Sequence, residues 1–105
     1  MPTKDYQEDL LKRLANSEYA AQYLKAAFDE TLSDGDRSAF LLALKNVVDA
    51  TAAMQTVANE AKISRQHLYR MLSDEGNPTL ETLTSVLLAV GMTIDFKPLA
   101  KNSLS

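Results

Sequence analysis

The stretch SRQHLYRML, Ser64 to Leu72, sets two arginines, a glutamine, a histidine and a tyrosine among apolar residues at helical spacing. Long side chains ending in cations and hydrogen-bonding groups do the chemistry of recognition. A guanidinium can bind guanine O6 and N7 together, a glutamine amide can do the same with adenine, and each such pair contributes roughly 1–3 kcal/mol of discrimination. Nothing in the stretch points to turnover. His67 is the sole histidine and the chain has no cysteine, so the partners that a metal site or a catalytic triad would need are missing around it. His67 therefore reads as a surface or DNA-facing residue. Asp34, Asp36, Asp74 and Glu75 sit beside turns, where capping accounts for them. Gly76 and Gly91 fit no phosphate-cradling pattern. No enzyme, metal or cofactor is expected.

Such a stretch works only if other elements hold it, and the chain has 105 residues to do so, enough for one domain with one core. Hydrophobic residues make up 46% and charged residues 24%, ordinary globular usage that leaves only the first few residues and a tail at 98–105 as loose ends. The absence of cysteine removes any reason to invoke an oxidising compartment. Apolar runs such as VLLAV are far too short to cross a bilayer, and MPTKDYQEDLLKRL lacks a signal-peptide core. A cytoplasmic protein with no membrane association is expected.

The charge is unevenly placed. Residues 1–51 carry six Lys/Arg against nine Asp/Glu, whereas residues 52–105 carry five of each, which puts the whole net charge of −3 on the first half. Lys62 to Arg70 holds three cations and no acid. Attraction to phosphate acts over about one Debye length, roughly 8 Å at physiological salt, so local placement outweighs the net charge.

Helical stripes organise the rest. Tyr6, Leu10, Leu11 and Leu14 share one face, broken at 15–17. Tyr19, Tyr23, Leu24, Ala27, Phe28 and Leu32 form a second stripe that opens after Ser17 as N-cap and ends in SDGD, where Gly35 is free to take positive φ. Asp36 then caps a third helix with Phe40, Leu41, Leu44, Val47 and Val48 inward. From Met54 the elements shorten. Met54, Val57, Ala58 and Ala61 make a two-turn helix, Lys62-Ile63 a tight connection, and Ser64 the cap of a helix with Leu68, Met71 and Leu72 inward. After a polar loop, Thr79 or Asn77 caps a last helix that buries Leu80, Leu83, Val86, Leu87 and Val90 and stops at Gly91. Met92 to Lys97 alternates at strand period; a lone strand must pair with another chain or lie extended.

Two short helices joined by a three-residue turn make the arrangement of a helix-turn-helix. The inward residues lock the pair, which leaves Arg65, Gln66, Tyr69 and Arg70 to face outward, where the second helix can enter a major groove. At this point residues 54–96 resemble the Xre-type, phage-repressor-like helix-turn-helix family, on VANEAKISRQHLYRML and GNPTLETLTSVLLAVGM. Nearly the whole chain, most tellingly SRQHLYRMLS followed by GNPT, is similar to the addiction-module antidote proteins, the HigA-like antitoxins. The resemblance implies an all-α bundle of about five to six helices with a lambda-repressor-like helix-turn-helix and a short C-terminal extended strand. It divides one domain into N-terminal helices at 1–51, a DNA-binding part at 52–97 and the tail at 98–105.

The resemblance further implies a DNA-binding antitoxin that neutralises a RelE-like toxin and represses its own operon. It assigns base reading to Arg65, Gln66, Tyr69 and Arg70, and phosphate contacts to Gln55 and the Ser64 region. Two positions depart from the family pattern. Lys62 stands where the turn usually has glycine, so either it accepts a left-handed conformation at a cost of about 1 kcal/mol or more, or the turn differs. Met54 takes the place of the usual glutamine, with Gln55 next. A homodimer on a palindromic operator is expected, because one short helix reads few base pairs and half-sites lie roughly 34 Å apart. Met92, Ile94 and Phe96 are the expected interface. The acids Glu8, Asp9, Glu18, Asp29 and Glu30 offer a surface to a basic toxin. The alternatives are a phage-type repressor without toxin partner, and an interaction module that has lost DNA binding.

Overall fold

Two cap-type residues, Asn16 and Ser17, separate the first two helical stripes, and it is Asn16 that opens the second helix: its side-chain oxygen accepts the Tyr19 N–H at 2.9 Å. Ser17, expected in that role, is the first helical residue instead. The computed structural model describes residues 4–51, 54–73 and 75–99. Among the described residues the fold is all-α, with α1 at Lys4–Leu14, α2 at Ser17–Asp34, α3 at Ser38–Thr51, α4 at Met54–Ala61, α5 at Arg65–Met71 and α6 at Leu80–Ala89. Of the expected tail, residues 100–105 lie outside the described residues, as does Asp74.

Gly35 ends α2 at φ 75°, its N–H donating to the Thr31 carbonyl. Asp36 then starts α3 from one residue further out than expected: its carboxylate accepts both the Ser38 N–H at 3.0 Å and the Ser38 hydroxyl at 2.8 Å. Those bonds favour the charged form and hold the Asp36 carboxyl below its ordinary range.

The helix α2 packs along α3, and α1 lies against both, while α4 packs on α5 and α6. The two groups share a single core in which Leu14, Leu44, Val47 and Val48 meet Val57, Leu68, Leu72 and Val86, all essentially without solvent exposure. Each such side chain contributes roughly 1.5–3 kcal/mol by its burial. Asn46 is buried among them and bonded through both ends of its amide. It donates to the Tyr23 hydroxyl at 3.0 Å and accepts from Gln7 at 3.3 Å, which ties α1, α2 and α3 in one register.

Gly91, at φ 81°, closes α6 as expected. The Met92 N–H returns to the Leu87 carbonyl at 2.8 Å and the Gly91 N–H to Leu88 at 3.0 Å, the paired bonds of a Schellman cap. Residues 92–99 form neither helix nor strand. The strand expected at Met92–Lys97 is thus not formed within the chain, because no second extended segment among the described residues lies ready to pair with it. Leu80, expected inside, is 71% exposed. It shares the apolar side of α6 with Leu83 and Leu87 but stands in the first turn, where it lines a surface groove with Leu88, Met92 and Phe96 instead of the core.

Candidate nucleic-acid interface

A helix of seven residues has too few internal hydrogen bonds to stand alone, so α5 depends on what holds it. At its start Ser64 is the N-cap, the hydroxyl accepting the His67 N–H at 3.0 Å. Before that, α4 ends in the same paired bonds as α6: the Ile63 N–H returns to Ala58 at 3.1 Å and the Lys62 N–H to Asn59 at 3.2 Å. Lys62 occupies the left-handed position, at φ 58°. The alternative left by the sequence is thereby settled: the turn closes on a lysine. Leu68 and Leu72 are fully buried beneath the helix, and Ile63 and Met71 are half-buried beside them.

The far end of α5 is held by its loop. A Cβ on Gly76 would stand 2.0 Å from the Met71 carbonyl oxygen, so only glycine lets the chain pass this close to the last turn. Arg37, at the start of α3, donates from Nε to the Gly76 carbonyl at 2.7 Å and fixes the crossing. Thr79 then caps α6, accepting the Thr82 N–H at 3.1 Å.

With its inward residues so used, α5 exposes Arg65, Gln66, His67 and Arg70. Tyr69 is different. It is half-buried, and its hydroxyl donates to Asp49 of α3 at 3.1 Å. Lys45 Nζ lies 5.2 Å and the Arg65 guanidinium 5.7 Å from the centre of its ring, both within cation–π range. Lys45 also pairs with Asp49 at 3.3 Å. Gln55, Arg65 and Tyr69 come together with Val48, Asp49 and Met54 around one cleft of about 310 Å³. Gln55 itself is exposed and donates to Asn59 at 2.9 Å. Arg70 stands apart from that cleft, beside Gly76 and Asn77. The sequence reading missed Arg37, Lys45 and Asp49. The i,i+4 spacing of Lys45 and Asp49 is that of any helix-surface ion pair, and nothing local connects them to Tyr69, twenty residues on from Asp49.

A second surface is apolar. Leu80, Thr84 and Leu88 run along the outside of α6 and, with Leu87, Met92, Thr93, Ile94 and Phe96, line a groove of about 350 Å³. Leu88 is 69% and Phe96 89% exposed, Ile94 is exposed, and Met92 is half-buried against the core. The acidic surface is less charged than its residue count suggests. Asp9 is paired with Arg13 at 3.0 Å and Asp29 with Lys25 at 2.8 Å, while Glu8, Glu18 and Glu30 are exposed. Among the described residues no group of His, Asp or Glu is placed to hold a metal ion, and no helix is long and apolar enough to cross a membrane.

Comparison with known proteins adds the family. A Haemophilus influenzae protein described as "Uncharacterized protein" is 34% identical over 89 residues, which cover 85% of this chain and 84% of the relative. No solved structure matches the chain. The family described as "Probable addiction module antidote protein" matches residues 5–98, from the first turn of α1 to the extended segment beyond α6. With so much of the fold included, the chain belongs to the family of probable addiction module antidote proteins.

Proposed function

We propose that this chain is a DNA-binding antitoxin of the HigA-like kind, a cytoplasmic protein that neutralises a RelE-like toxin and represses the operon of the pair. Membership of an antidote family supports the antitoxin role and a toxin partner in general. For the rest, one observation carries the reading: α5 is held at both ends and from below, and the side chains left over are Arg65, Gln66, His67 and Arg70. In this reading α4 and α5 are an Xre-type, lambda-repressor-like helix-turn-helix. Arg65, Gln66 and Arg70 reach base edges, Tyr69 flanks them, and Gln55, Ser64 and His67 lie along the phosphates.

A homodimer on a palindromic operator completes the reading, with Met92, Ile94 and Phe96 at the interface and the extended segments pairing across the two-fold. The apolar line of Leu80, Thr84 and Leu88 beside them supports that choice, since water-exposed leucines of this extent are stabilised by covering them. The acids Glu8, Glu18 and Glu30, free of ion pairs among the described residues, favour a basic toxin on α1 and α2. They equally favour the second reading, an interaction module without DNA.

Binding to a palindromic duplex from the chain's own upstream region, measured at two salt concentrations, separates the two. A DNA-binding protein loses affinity as salt rises, and Arg65→Ala and Arg70→Ala each cost about 1–3 kcal/mol. Affinity indifferent to salt and to both substitutions contradicts the DNA reading.

A further inference from the structure

The helix α3 grips α5 from two directions. Arg37 near its first residue holds the Gly76 carbonyl just beyond α5, and Asp49 near its last residues accepts the Tyr69 hydroxyl. The second tie bears on an exposed cation. Arg65 stands one helical turn before Tyr69, and its guanidinium lies over the ring, 5.7 Å from the centre. Lys45 holds the same ring at 5.2 Å and neutralises Asp49 at 3.3 Å. A tyrosine tied through its hydroxyl presents a fixed ring, and a guanidinium resting on a fixed ring has fewer rotamers to lose on binding.

We propose that Tyr69 and Asp49 are positioning residues that orient Arg65 for bidentate base recognition, Asp49 fixing the tyrosine and the tyrosine fixing the arginine. This rests on the DNA-binding reading above. The consequence is particular. A mobile arginine still finds a phosphate, which any duplex supplies, but a bidentate contact to one base edge needs the planar group aligned beforehand. Loosening the tie therefore lowers discrimination between sequences and leaves general affinity for duplex DNA in place.

The test is fluorescence anisotropy of the full chain with two labelled duplexes, one from immediately upstream of its own reading frame and one a scramble of the same composition. Tyr69→Phe keeps the ring and removes only the hydroxyl tie. The ratio of upstream to scrambled affinity falls about fivefold, part of what a whole bidentate contact contributes, while scrambled affinity and the unfolding midpoint stay put. In an Arg65→Ala background the tyrosine substitution moves the ratio no further. Asp49→Ala, which leaves the tyrosine intact, repeats the loss and carries the comparison alone if Tyr69→Phe fails to fold. An unchanged ratio in these variants, or a fall as large without Arg65 as with it, overturns the positioning role and leaves DNA binding standing. If the wild-type chain binds both duplexes alike, the DNA reading falls and the positioning role falls with it.

Discussion

The helices α4 and α6 stop in the same way and on different residues. Both return two N–H groups to the last turn through a left-handed residue, Gly91 at φ 81° after α6 and Lys62 at φ 58° after α4. Glycine takes that conformation freely, whereas an ordinary side chain loses roughly 1–2 kcal/mol there. The difference teaches that the α4 stop is not tuned for stability alone. Lys62 is exposed and stands two residues before the cap of α5, so its strain places a cation at the entrance to the helix that carries Arg65 and Arg70. The α6 stop leads instead into the apolar groove, where a charge would have no purpose.

Gly76 breaks the comparison most severely, because its glycine is required for space and not for φ. Gly76→Ala drives a methyl into the Met71 carbonyl and is expected to cost about 3 kcal/mol in urea unfolding, with α5 losing its seat first. Gly91→Ala meets open space and only the conformational penalty, about 1–2 kcal/mol by the same measurement. Lys62→Gly reverses the sign. It relieves the strain and raises stability by up to about 1 kcal/mol, while duplex affinity falls and the slope of log affinity against log salt shrinks by about one. A Lys62→Gly chain that gains stability and binds as before would reduce the lysine to a tolerated imperfection.

Much of this frame was legible in the sequence. Ser64 and Thr79 as caps and Gly35 and Gly91 as left-handed stops follow from residue chemistry within a few positions, and the structure has them in those roles. Where two cap-type residues adjoin, as at Asn16 and Ser17, composition cannot choose between them. Helical spacing sets Leu80 on the same side of α6 as Leu83 and Leu87, and only the tertiary packing leaves that first turn outside the core, over a surface groove. At the candidate interface the types of residue were legible and their anchoring was not. The Arg37–Gly76 and Asp49–Tyr69 bonds join positions far apart in the chain, and neither end of either bond carries a local sign of the other.

The claim on which the rest depends is that the exposed face of α5 is what meets DNA. Titrating the palindromic upstream duplex into isotopically labelled protein and following backbone amide shifts tests it without any substitution. The largest shifts are predicted over Lys62 to Arg70 and Gln55, with the amides of α1 and the first half of α2 unmoved. Shifts confined to α1 and α2, or none at saturating duplex, would contradict the account.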